Sequence, residues 1–542
     1  MKIHIKKYLA LMLSAAMIAT LFTGCKSSDS NGEESIKTQE SEKTDTAQES
    51  ETLSFSVLTI DDDPEFMEWP LVKEAKEKFH IEFTNQLAAW DSWDETFRTL
   101  AATDSLPEVI AWYNLKYSEY ASYVEQGVFK PFPEDLSAYP NIKKRMESYS
   151  VCDDMKIDGV LYAMPKTINE NPYNEYSPSL IVYRKDWAKA LGYDFDDVQE
   201  LSWEEFVDYL TAVKTKDPGA LGDNLVPFDF YHGGQGWLDF VSLQWNPYLS
   251  SNTSQYEKTD SGYMWGAKNE KSLQGILEFK KLYDSGLIYQ DSYADTSNSG
   301  LERFLAGRVA VFHGPLTIPT LQDLVLTPAC QSLGLSEEDF GIFCVTWDGK
   351  FQVREKSQWW GAYAFSSNCS DEIMDRWLRM GDWLLEKEQI EKANYGVEGE
   401  DWTREGDTIT LNWTEDQLSG DKSYIKLQEN FFRRFFVLEG DPYLLEDNPR
   451  LSPYFNDIFK QAMETYATKP NYYPVDYDVS YFSGEAFDVI SGSLDTTTGD
   501  AVIRSVIADN PKEVWEAYLS DMESQTQAAA DELTAALCQT EN

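Results

Sequence analysis

The sequence predicts an α/β protein built in more than one domain. Three observations carry this. Residues 53–112 read as strand, helix, strand, helix, strand, the order that a parallel sheet with crossover helices requires. A second run of strand and helix patterns begins near residue 180 and extends past 340. Once an N-terminal segment is set aside, about 490 residues remain, too many for one hydrophobic core.

The N-terminal segment comes first. Lys2, Lys6 and Lys7 precede an almost wholly apolar run over residues 8–21. The run is too short and wrongly flanked for a spanning helix and reads as a secretory signal. Gly24 and Cys25 follow it, and the chain then turns polar. The segment resembles a bacterial lipoprotein signal, cut after residue 24, with Cys25 becoming the lipidated N-terminus. Phe22 stands where such signals usually carry Leu, Val or Ile. An ordinary secretory signal with a chance cysteine is the other reading. Residues 25–52 lack aromatics and almost all apolar side chains, so they cannot offset the entropy of ordering. They read as a disordered tether with a reach of roughly 30 Å.

The body opens on LSFSVLTI, residues 53–60, whose alternation and β-branched content predict a strand. Asp61, Asp62, Asp63 and Pro64 end it. A helix over 69–79, a strand over 81–84, a helix over 93–102 and a strand over 109–112 follow. Further strands are predicted over 180–184, 309–312 and 340–346. Helices are predicted over 187–191, 272–284, 301–307 and 371–387. Ser202 and Glu205 form a capping box that opens a helix to about residue 214. Residues 232–237 (HGGQGW) read as a glycine-rich loop. In parallel sheets, ligands bind where strands end and loops begin. Asp61 and Asp62, and Trp112 with Asn114, hold such places, although the aspartates could equally cap the following helix.

Composition narrows the function. The chain of 542 residues carries 93 acidic and 46 basic side chains, a net charge of −47. That excludes nucleic acid, which needs clustered Lys and Arg, and docking on anionic headgroups. Beyond Cys25, the cysteines are Cys152, Cys330, Cys344, Cys369 and Cys538. None is spaced CxxC, and sequence does not decide whether any pair forms. There are 17 Trp, 31 Tyr and 28 Phe. A core accounts for most of them. Several, however, stand beside polar residues in apparent loops: Trp90, Trp112, Tyr231 next to His232, Trp237, and Trp359 with Trp360. Aromatic faces stack on sugar rings, so the set points toward a carbohydrate. Neighbours on a strand face opposite ways, which leaves one ring of Trp359 and Trp360 for the core.

The order of segments resembles the family 1 extracellular solute-binding proteins, the sugar receptors of ATP-driven importers, and in particular their large lipoprotein branch found mainly in Gram-positive bacteria. Residues 100–110 (LAATDSLPEVI), 127–132 (GVFKPF), 157–165 (IDGVLYAMP), 181–187 (IVYRKDW), 304–314 (FLAGRVAVFHG) and 395–402 (YGVEGEDW) carry the likeness. Each is weak alone; in order they are specific, and the C-terminal 130 residues match less sharply. The resemblance implies a two-lobe, periplasmic-binding-protein-like fold of type II, with discontinuous lobes joined by a hinge. Lobe one would span 53–168 and 358–395, and lobe two 169–357 and 396–542. It further implies an oligosaccharide ligand held between the lobes, delivery to the permease subunits of an ABC importer, a membrane contact through the lipid anchor on the extracellular face, a monomer, and no catalysis. The expected ligand contacts are Asp61, Asp62, Trp90, Trp112, Asn114, Tyr176, Tyr231, His232, Trp237, Trp359 and Trp360. No cofactor is implied. Family members often carry a calcium-type loop, but here the stretch at 217–227 (DPGALGDNLVP) has Ala220 and Leu221 where oxygen ligands would stand, so no metal is expected.

Two other functions stay open. A receptor of the same fold could take a peptide or a cationic solute, which the acidic surface would suit. A secreted polysaccharide hydrolase would need two carboxylates across one glycosidic bond. No GxSxG or HExxH motif is present.

Overall fold

The computed structural model describes residues 51–60, 70–89, 92–113, 117–148, 151–168, 176–177, 180–250, 255–295, 298–314, 321–355, 359–406, 408–414, 417, 425, 449 and 452–538. The side chains of Trp112, Tyr176, Trp359 and Trp360 fall outside that description, although their backbones are placed in strands.

One sheet is built on the N-terminal alternation. Its strands lie in the order Ile81–Ala88, Leu53–Ile60, Val109–Tyr113, Trp359–Ser366, Phe129–Lys130. The first three are parallel, joined by the helices Pro70–Phe79 and Trp93–Ala102 as crossovers. Trp359–Ser366 runs against them and also pairs with Ala163–Ile168. Val57, Leu58, Val109 and Ile110 are fully buried, as expected of a sheet covered on both faces. Leu71, Val72, Phe97 and, from the helix Asp371–Leu384, Trp377 complete this core. Arg376 on that helix closes the sheet's N-terminal corner. Its Nη1 donates to the carbonyls of Glu51 (3.2 Å), Phe79 (3.0 Å) and His80 (3.1 Å).

The second sheet has the order Val198–Ser202, Phe340–Thr346, Ile181–Arg184, Val309–His313, Val226–Phe230. Ile181–Arg184 is antiparallel to both of its neighbours. The capping box is present: Ser202 Oγ accepts from Glu205 N at 3.3 Å and Glu205 Oε2 accepts from Ser202 N at 2.8 Å, opening the helix Trp203–Lys216. A small third sheet, Pro470–Tyr473, Phe351–Glu355, Tyr176–Ser177, stands beside it. Of the C-terminal helices, Pro453–Thr468 packs on one core of this half, and Leu494–Ile507 and the 27-residue Pro511–Leu537 on another. Asn510 caps the last, accepting from Glu513 N, with Pro511 at its first turn. Residues 371–387 do not form one helix: Glu386 is extended, and a second helix, Lys387–Tyr395, starts after it.

The route of the chain fixes which edges face each other. Ile168 pairs with Trp359, at the edge where Val109–Tyr113 also ends. Ile181 pairs with Phe343 and His313, the C-terminal edge of the second sheet's parallel strands. The chain therefore passes from the strand-end edge at Ile168 to the one at Ile181, and between them Tyr176 pairs with Glu355. Both sheets present their carboxyl ends toward one crossing.

Candidate cleft at the facing strand ends

On the first sheet, most expected contacts lie outside the described residues: Asp61, Asp62, Trp90 and Asn114. Trp112 holds the last turn of Val109–Tyr113 by its backbone, and Trp359 and Trp360 begin the neighbouring strand at the same edge. Tyr176 lies in the short strand opposite Glu355.

The second sheet's edge is described in full at one corner. Phe230 ends its strand, and Tyr231 and His232 turn the chain with their rings 4.1 Å apart. Tyr231 is half-buried, and His232 is exposed with φ +68°. The residues that follow are not a loop. A helix, Gly233–Gln244, begins at once. Its glycines admit backbone contacts that a side chain would block: a Cβ on Gly236 would lie 2.3 Å from the Tyr231 carbonyl oxygen, and one on Gly234 2.7 Å from that of Tyr293.

This corrects the expectation for Trp237. Helical spacing turns its ring inward, where it is 0 % exposed. It packs edge-on against Phe279, Tyr283 and Tyr293 at 5.2–5.7 Å between centroids. Its Nε1 donates to Ser292 Oγ at 2.9 Å. Trp237 belongs to the core and offers no face to a ligand. The same periodicity brings Gln235 and Asp239, four residues apart, to another face of the helix. Gln235 is exposed and Asp239 half-buried, and Gln235 Nε2 donates to Asp239 Oδ1 at 3.2 Å. Burial pushes the Asp239 carboxyl up to about 6, partly offset by Arg354 and by the Gln235 bond. Their i, i+4 spacing was readable once the segment was taken as helix.

Two further features belong to this half. His313, at the end of its strand, is 0 % exposed, and neither ring nitrogen has a partner among the described residues. Burial lowers its pKa to about 3. On the outer flank, the loop at 217–224 is closed by hydrogen bonds: Asp217 Oδ1 accepts from Leu221 N (3.0 Å) and Oδ2 from Gly222 N (2.7 Å). These bonds hold the Asp217 carboxyl below its usual range. Among the described residues, no cluster of three or more His, Cys, Asp or Glu could hold a metal ion. Nor is any described helix long and apolar enough to cross a membrane.

A cavity of about 620 Å³ opens beside the core of the first sheet, lined by Phe132, Glu134, Lys143, Met146, Cys152 and Lys156 among others. It lies beside the helix Pro140–Ser148, and none of its lining residues ends a sheet strand at the facing edges. The strand-end edge is the stronger candidate, because two sheets and the chain crossing converge there.

Residues 70–334 match the family model described as bacterial extracellular solute-binding protein. No curated protein sequence matches the chain. Among solved structures, the chain is similar to the Streptococcus pneumoniae ABC-transporter substrate-binding protein FusA, an EF-hand mutant in complex with fructo-nystose, at TM-score 0.67 and 16% identity over 90% of this chain and 99% of that one. It is similar to the alginate-binding protein AlgQ2 without calcium ion, at TM-score 0.65 and 16% identity over 90% and 97%. It is also similar to an extracellular solute-binding protein from Bifidobacterium longum subsp. infantis, at TM-score 0.64 and 14% identity over 90% and 98%. At these identities the likeness establishes the fold, which is the two-domain, periplasmic-binding-protein-like one.

Proposed function

We propose that this chain, which over residues 70–334 is an extracellular solute-binding protein, captures an oligosaccharide between its lobes and passes it to the permease of an ABC importer. Lobe one takes residues 53–168 and 358–395 and lobe two the remainder of the body, with 169–180 and 356–358 as the hinge. Cys25 carries the lipid that holds the receptor on the extracellular face, and the molecule works as a monomer. It binds and releases without chemistry.

The observation that carries this reading is the convergence of two sets of strand ends on one chain crossing, with Tyr231, His232, Gln235 and Asp239 on the second lobe's side. Open edges of this kind leave backbone and side-chain polar groups for hydroxyls, and exposed rings for sugar faces. The structural neighbours support the ligand class: the Streptococcus pneumoniae protein is seen with fructo-nystose, and another from that organism, at TM-score 0.51, with Man5GlcNAc. Trp112, Tyr176 and one ring of the Trp359–Trp360 pair remain the proposed stacking residues, the other ring going to the core, and Asp61, Asp62, Trp90 and Asn114 are their polar and aromatic neighbours. A ligand longer than a disaccharide fits a cleft with aromatics spread over several segments. Titration by intrinsic fluorescence and calorimetry, with neutral tri- and tetrasaccharides against monosaccharides and a peptide panel, tests it. Saturable binding of the longer sugars is expected. Equal or tighter binding of monosaccharides, or binding of peptides alone, would overturn it.

A further inference from the structure

The cavity of about 620 Å³ beside the core of the first sheet has a built lining that the sugar reading does not use. Four segments enclose it: the turn 132–136, the helices Pro140–Ser148 and Val151–Asp154, and the hairpin 156–161. Phe132 N donates to the Leu161 carbonyl at 2.8 Å and ties the turn to the hairpin. Asp382 Oδ1 accepts from Asn141 N at 2.7 Å and from Ile142 N at 2.9 Å, which pins the start of the longer helix. Lys156 Nζ donates to Asp153 Oδ1 at 2.5 Å and ties the hairpin to the short helix. The fold itself therefore sets the walls, as in preformed small-molecule pockets, which run to about 300–1,000 Å³.

The lining divides into two chemistries. Phe132, Cys152 and Leu161 are buried, Leu136 and Met146 half-buried, and together they make an apolar wall. Val160, 38 % exposed, carries that wall to the surface. The exposed carboxylates Glu134, Asp135, Glu147 and Asp153 stand against two ammonium groups, Lys143 and Lys156. Both ammonium groups are matched within the lining, Lys143 with Glu147 at 3.9 Å and Lys156 with Asp153 at 2.5 Å. Glu134 and Asp135 are the surplus, and Asp135 accepts from a neutral donor, Ser137 N, at 2.9 Å.

This division rules out several occupants. An anion would meet the surplus negative charge. A bare metal ion needs oxygen ligands gathered around one point, and among the described residues no three acidic, His or Cys side chains are so gathered. A sugar takes flat aromatic faces and amides, whereas the described lining holds no Trp, Tyr, His, Asn or Gln. Its one ring, Phe132, packs on Tyr363 and Phe365 at 5.7 and 5.2 Å between centroids. A positive head on an apolar body matches both halves of the lining.

We propose that this cavity is a second ligand site, separate from the strand-end edges, and that it takes a small organic ammonium ion with an aryl or alkyl body. The body lies on Phe132, Met146 and Leu161, and the ammonium group donates to Glu134 and Asp135. The inference does not depend on the oligosaccharide reading, because none of these residues belongs to the edges that carry it.

Calorimetry and thermal melting on the full chain test this. Tryptamine is the probe, indole-3-acetate the same body with a negative head, and ethylammonium the head without the body. Tryptamine should bind saturably, raise the melting temperature and bind about tenfold or more tighter than either control. Glu134→Lys reverses a charge beside the head, and Val160→Trp crowds the opening. Each, at an exposed position, should weaken tryptamine by about tenfold and leave melting unchanged. Should either variant melt lower, Glu134→Gln, which keeps the shape and removes the charge, decides, and undiminished affinity there overturns the proposal. If either control binds the wild type as tightly as tryptamine, the pairing of head and body is overturned. If tryptamine binds a variant as tightly as the wild type, it sits elsewhere and the site falls. If the wild type binds none of the three, the site falls as well.

Discussion

Trp237 gives the sharpest test of the placement derived above. Replacing it with Ala removes a fully buried indole, three edge-on aromatic contacts and the bond to Ser292 Oγ. Burial of that ring and the cavity left behind together cost about 3–5 kcal/mol. For a lobe of ordinary size each kcal/mol moves the midpoint by about 2–4 °C, so Trp237→Ala should melt roughly 6–20 °C below the wild type. Trp237→Phe keeps most of the packing and loses mainly the hydrogen bond and part of the volume. It should cost about 1–2 kcal/mol. Urea and thermal denaturation followed by far-ultraviolet circular dichroism measure both. Calorimetry below the transition should find sugar affinity in Trp237→Phe unchanged. A Trp237→Ala protein that melts like the wild type while losing affinity would refute the burial argument and return the ring to the cleft.

The remaining predictions are brief. His313 holds its ring neutral when folded, so between pH about 6.5 and about 3 the unfolded chain takes up a proton that the folded one refuses. Stability present above pH 6.5 is therefore lost on acidification by roughly 1.4 kcal/mol per pH unit from this group, and His313→Leu should flatten that slope in melts from pH 7 to 5. Asp239 acts in the opposite sense: its raised pKa favours the folded state below pH 4 and that help fades as pH rises through about 6, so Asp239→Asn should steepen the acid loss. Asp217→Ala opens the loop that its carboxylate closes and should lower the melting temperature, while added calcium or chelator leaves wild-type melting unchanged; a large calcium-dependent rise would contradict the hydrogen-bonded closure. Cys25→Ala should release the protein to the medium or stall signal processing, and normal membrane retention of the variant would remove the lipid from the proposal.

The first sheet and the helix after Ser202 in the second half were legible because their signals are local. Leu53–Ile60 alternates over its whole length, and the capping box at Ser202 marks a helix start within four residues. The glycine-rich segment after His232 was not, because glycine runs usually signal turns. Here the glycines serve close packing against the Tyr231 and Tyr293 carbonyls, a long-range fact that no local window contains. Reading that segment as a loop put Trp237 outside and hid the face shared by Gln235 and Asp239. The burial of Arg354 is likewise a tertiary property that no local window contains. The C-terminal helices carry clear starts, such as Asn510 and Pro511, but they pack both on the second core and on each other, as where Thr498 Oγ1 lies 2.9 Å from Tyr518 Oη. Sequence periodicity alone does not say against what they pack.

The grip of Arg376 on Glu51, Phe79 and His80 sets where outside force would enter the molecule. Three carbonyls held by one guanidinium act as a strain relief at the point where the N-terminal segment joins the sheet. A pull applied at residue 51 would load the strand Leu53–Ile60 in shear, along parallel pairings with both neighbours. The second sheet carries none of that load, because the chain reaches it only by way of the first. Held at residue 51, the molecule would thus be gripped by its first sheet alone.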